Sequence, residues 1–146
     1  MRLYKMKMSK EEILKMPAGR EMDALVAEKI FGYRWVEGLL AFEQPCLISP
    51  EHYDETKTPI ANTNKRKIGG TFPKYSTEIS DAWEIVEEMD TFQFNFDNGY
   101  STDPNERCLA EFGHGMLGMT DYIQVEATAP TAYLAICRVA LLTKIQ

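Results

Sequence analysis

The chain is 146 residues long, 45% hydrophobic and 26% charged, and its 16 Lys and Arg against 22 Asp and Glu leave a formal charge of -6. Those values fit one domain, 1–146, whose core is large enough to fold without disulfides or a structural metal. The acidic balance argues against a general DNA or RNA binder, which carries a basic surplus to track phosphates; it leaves room for a compact anion held by grouped cations.

Three cysteines, Cys46, Cys108 and Cys137, lack CxxC spacing and read as reduced thiols. The apolar run from 133 to 142 is interrupted by Arg138 and falls short of the ~20 residues of a membrane span. The polar N-terminus has no signal-peptide core, so the expected compartment is the cytoplasm.

In chain order, Ser9-Lys10-Glu11-Glu12 has the pattern of a capping box, and Pro17 ends the short helix that follows. Met22, Leu25, Val26 and Ile30 recur at helical spacing, which predicts an amphipathic helix over 19–31 with Gly32 as its stop. Residues 33–37 and 39–48 predict one or two strands. The segment 50–74, with Pro50, Pro59 and Pro73 and few aliphatics, reads as a long loop. A second helix follows, capped by Ser76 or Thr77, with Ile79, Trp83, Val86 and Met89 on its buried face and Glu84, Glu87 and Glu88 in solvent.

Thr91 to Asp97 alternates with period two, the mark of a half-buried strand whose Phe92, Phe94 and Phe96 face the core. Strands are expected over 108–112 and 119–125, with His114 in the turn between them. A last helix starts near Pro130 and carries Leu134, Cys137, Leu141 and Ile145 on its apolar stripe. The order predicts an α+β domain in which an antiparallel sheet is covered by helices.

Catalytic patterns are absent from the sequence. His52 and His114 have no nucleophile motif beside them, and no metal-ligand spacing occurs. Neither an enzyme, a metal site nor a cofactor is therefore expected. The best ligand pattern is Lys65-Arg66-Lys67 followed by Gly69-Gly70-Thr71-Phe72: cations attract an anion, glycines let backbone N–H groups approach it, and Phe72 offers a stacking face. It matches no phosphate-loop consensus, and a solvated charged loop has the same composition. Arg107 is an alternative anion contact, and Asn95 is placed to offer an amide from the open face of its strand. Arg20 and Arg138 are expected in structural pairs, the latter with a carboxylate or carbonyl.

Three segments together resemble the phage ABA-sandwich domain family: Met16-Pro17-Ala18-Gly19-Arg20-Glu21-Met22-Asp23 and the helix after it; Tyr75-Ser76-Thr77-Glu78-Ile79 with Ala82-Trp83-Glu84; and Ala129-Pro130-Thr131-Ala132 through Leu142. They fall on three predicted helices in the family's order. The resemblance implies a phage or prophage protein acting in the host bacterial cytoplasm, built as an antiparallel sheet sandwiched between helices (an ABA sandwich).

Most of the family has no assigned function; some phage proteins that look similar are Thoeris anti-defence sponges, which hold a cyclic ADP-ribose isomer without cleaving it. Related sponges form homodimers or higher homo-oligomers, and some take cyclic oligonucleotides at separate sites. For such a ligand, the cation, glycine and aromatic pattern leads to the expectation that Arg66, Lys67 and Arg107 hold a diphosphate, Gly70 and Thr71 close on it, Phe72 or Tyr75 stacks on adenine, and Asn95 reads a base or ribose. The segments 50–74 and 98–107 are where ligand contacts are expected. The alternative is a phage factor that binds a host protein through an exposed apolar or acidic face.

Overall fold

The computed structural model describes residues 3–4, 8–36, 46–50, 69–70, 72–89, 93–114 and 123–145. Among these lie four helices, α1 (Lys10–Lys15), α2 (Arg20–Lys29), α3 (Ile79–Glu88) and α4 (Ala132–Lys144). The strands are β1 (Leu3–Tyr4), β2 (Arg34–Val36), β3 (Cys46–Ile48), β4 (Gly69–Gly70), β5 (Gln93–Asn98), β6 (Cys108–His114) and β7 (Ile123–Ala129). They form two sheets, ordered β1-β2-β3-β4 and β5-β6-β7. The second sheet is antiparallel throughout, and in the first only the β3–β4 pair is parallel.

The register of the second sheet sorts its faces. Phe94 lies opposite Phe112 and Phe112 opposite Val125; Phe96, Ala110 and Ala127 form the next row, and Asn98, Cys108 and Ala129 the row after. This face receives α4 and, at its edge, α3. The alternate rows, such as Asn95, Glu111 and Glu126, point away from the core.

α4 packs against β6, β7, α3, α2 and α1. A helix covered on all sides must be apolar nearly all round, and Leu134, Ala135, Ile136, Cys137, Val139, Ala140, Leu141 and Leu142 are all buried. Burying each Leu or Ile contributes roughly 1.5–3 kcal/mol. α2 is enclosed in the same way from Met22 to Ala27. Trp35 and Leu47, paired across β2 and β3, join the first sheet to this core.

Local signals explain the helix ends. The Glu12 N–H donates to Ser9 Oγ at 3.2 Å, and the Ser9 hydroxyl bonds the Glu12 carboxylate at 3.1 Å, a capping box closed through side chains. Gly19 precedes α2 at φ 149°, backbone that other residues adopt only with strain. Thr131 caps α4 by accepting the Leu134 N–H, so Pro130 lies before the cap and not in the first turn.

Further sequence expectations are corrected. α3 has no side-chain cap, because Ser76 is drawn into a buried bond elsewhere. Its buried residues are Ala82 and Ile85, whereas Ile79 and Trp83 are exposed. The last strand is described from Ile123 to Ala129 and so passes the expected end at Val125, with 119–122 outside the described residues, and the backbone of His114 closes β6. No described helix is long and apolar enough to cross a membrane.

Candidate functional site

A polar and aromatic cluster joins the start of α2 to the turn before α3. Asp23 and Ser76, 5% and 0% exposed, sit inside it. One Asp23 oxygen, Oδ1, accepts both the Ser76 N–H at 2.8 Å and the Ser76 hydroxyl at 2.6 Å. The Ser76 Oγ in turn accepts the Gly19 N–H at 2.9 Å. Burial pushes the Asp23 carboxyl above its ordinary pKa, while the Ser76 bonds and the nearby Arg20 charge pull it down.

The Arg20 guanidinium lies 4.4 Å from the centre of the Phe72 ring, a cation–π contact. Tyr75 stacks on Phe31 at 4.9 Å with the rings 9° from parallel. Tyr75 is 1% exposed, and burial, with Tyr33 adding to it, drives its phenol strongly towards the protonated form. Phe72, at 8% exposed, belongs to the same hydrophobic core. One face of each of these rings is therefore occupied by the chain's own groups. Lys74, between them, donates its N–H to Asp81 in the first turn of α3.

The other expected ligand residues fall elsewhere. Gly70 pairs with Leu47 across β3 and β4. Arg66, Lys67 and Thr71 lie outside the described residues. Asn95 is exposed on the outer face of β5, opposite Glu111, whose carboxylate accepts a bond from Gln124. Glu126 continues this row, so the surface around Asn95 is acidic.

Arg107 is exposed where the chain enters β6, opposite the end of β5, roughly 13 Å along the strand from Asn95 at ~3.3 Å per residue. Its carbonyl accepts the N–H groups of Gly99 and Tyr100 at 3.0 and 2.8 Å. Within this turn Asp103 accepts the Asn105 N–H, starting the 3-10 turn Pro104–Glu106. Tyr100, 51% exposed, thus stands beside Arg107 in a braced loop. Sequence reasoning placed contacts in this segment without naming Tyr100; a tyrosine among polar turn residues was the available signal.

The thiols are tuned away from nucleophilic chemistry, since burial raises the pKa of Cys108 and, more strongly, of Cys137. Among the described residues no group of three or more His, Cys, Asp or Glu side chains could hold a metal ion. A cavity of about 190 Å³ lies between α1, α2 and α4, lined by Ile13, Leu25, Leu141 and Ile145 with Lys29 and Lys144 at its edge. An apolar cavity of ~150 Å³ accommodates benzene, so this one suits a single small ring and is too small to enclose a dinucleotide.

Among curated proteins and among solved structures nothing matches the chain. The phage ABA sandwich domain matches over residues 24–141, a span from the buried α2 to the end of the α4 core. With most of its length in that match, the chain belongs to the phage ABA sandwich domain family.

Proposed function

We propose that this phage-associated protein acts by binding, and that it sequesters a cyclic ADP-ribose-type nucleotide immune signal without cleaving it. The ligand class is taken from the resemblance to Thoeris anti-defence sponges read from the sequence. The observation that carries the reading on this chain is the Tyr100–Arg107 turn: an exposed tyrosine and an exposed arginine on backbone joined by a 2.8 Å bond. A ring of this kind stacks on adenine, and a guanidinium grips a diphosphate through paired N–H donors.

In this reading Arg66, Lys67, Gly70 and Thr71 close on the ligand from the basic segment, and the cytoplasm of the host is the place of action. Adenine stacks on Tyr100, since Phe72 and Tyr75 already serve Arg20 and Phe31. Asn95 reads a sugar hydroxyl at the far end. A second copy of the chain completes the enclosure, because a site that excludes water is most readily made between subunits.

The test is retention. The purified protein is incubated with cyclic ADP-ribose isomers, freed of unbound nucleotide and heat-denatured, and the released small molecules are identified. Intact ligand is the expected result, with affinity falling at least about tenfold in Arg107→Ala and Tyr100→Ala. Release of a cleaved product would make the protein an enzyme, and absence of retention would overturn the reading.

A further inference from the structure

Large apolar side chains gather in solvent along α3 and β5. Ile79, Trp83 and Phe96 are 52%, 48% and 40% exposed. At 3.6 residues per turn, Ile79, Trp83 and half-buried Val86 occupy a strip roughly 60° wide, beside the Ala82 and Ile85 strip that enters the core. The Trp83 ring meets Phe94 edge-on, with centroids 5.7 Å apart and planes at 81°. Phe96 follows two residues later on the same face of β5. The strip on the helix is therefore continuous with the aromatic row on the strand.

Electrostatics select what can cover this surface. Glu87 stands one turn beyond Trp83, and Glu84 and Glu88 continue round the helix, all three exposed. A two-fold contact with another copy would bring this acidic bank towards its twin, and an anionic lipid surface meets the same repulsion. A segment carrying Lys and Arg beside apolar side chains matches both halves of the surface.

We propose that the Ile79–Trp83–Phe94–Phe96 surface docks a basic amphipathic segment of another protein, its apolar side chains covering Trp83 and Phe96 and its cations facing Glu84 and Glu87. This surface is separate from the Tyr100–Arg107 turn, so the proposal stands whether or not the protein retains a nucleotide.

Binding is tested with a synthetic lysine–leucine amphipathic peptide and its glutamate–leucine counterpart. Trp83 is the reporter, because the other tryptophan, Trp35, is 4% exposed. The lysine peptide is expected to shift the emission to the blue and to bind more weakly as salt rises; the glutamate peptide is expected to leave the spectrum unchanged. Affinity for the lysine peptide should drop at least about tenfold in Trp83→Ala. Because that change also removes the contact with Phe94, a second variant, Glu84→Lys with Glu87→Lys, alters only exposed positions and should transfer binding to the glutamate peptide.

Equal binding of the two peptides, binding of neither, or a charge-reversed variant that keeps its preference for lysine would overturn the proposal. A protein that is already dimeric, and that becomes monomeric on Trp83→Ala, would overturn it in favour of a second copy.

Discussion

Asp23 is a carboxyl buried to 5% exposure, and its partners explain why it is tolerated. Both Ser76 bonds converge on one oxygen, and the Arg20 charge is close enough to favour the ionised form. Asp23→Ala leaves the buried N–H and hydroxyl of Ser76 without this acceptor. An expected loss of about 2–4 kcal/mol in urea unfolding follows. Asp23→Asn keeps one side-chain oxygen able to accept both bonds and should cost less.

The pH dependence has a definite sign. Desolvation raises the folded pKa of Asp23 above the ordinary 3.8, so the folded state holds this proton more tightly than the unfolded chain. The resulting stability is complete below 3.8 and is lost as pH rises through the folded value. Wild type measured against Asp23→Asn should therefore lose relative stability across that interval.

At the scale of elements, Arg138 ties three together. It projects from α4 and donates from Nη1 to the Thr128 carbonyl of β7 at 2.8 Å and from Nη2 to the Met16 carbonyl at 3.1 Å. Met16 is the C-cap of α1, a six-residue helix too short to persist alone, which is also held by buried Ile13 and the Ser9 cap. Arg138→Ala should cost about 2–3 kcal/mol, since bonds from a charged donor exceed neutral ones. Amide exchange over Lys10–Lys15 should accelerate more than exchange in α4.

How far the elements can be read from the sequence depends on what fixes each one. The Ser9 box, Gly32 and the strand around Asn95 are local, and all three appear in the structure, although Phe96, expected to face the core, is 40% exposed. The α3 face could not be read in this way: its apolar residues span two strips, and only packing against α4 decides that Ala82 and Ile85 go inside. Ser76 has the composition of a cap, yet a carboxylate 53 positions earlier claims it. Tyr75 reads as a free stacking ring until Phe31 is placed against it. Of the residues expected to meet a ligand, Asn95 is exposed as its place in the strand register implies, and Arg107 is exposed at the end of the 3-10 turn.

At the scale of the molecule, the described core residues include a connected cluster that runs from Ile13 through α2 and α4 to the inner face of β5-β6-β7. Cys137 lies at its centre, 0% exposed, with its thiol held in the protonated form by burial. Local fraying does not uncover such a position. Its alkylation should therefore track global unfolding, with a rate that rises with urea as the unfolded fraction does. Rapid modification of Cys137 in the native protein would mean that α4 detaches independently.

The place of α4 in chain order has a consequence for synthesis. It follows every other described element, yet α1, α2, α3, β6 and β7 all pack on it. While the ribosome is still making residues 132–144, the inner rows of the sheet and the enclosed side of α2 have no cover. Closure must wait for this helix, which is made after every element that packs on it. A nascent chain stalled before α4 should bind holdase chaperones, and the same chain released with α4 should escape them.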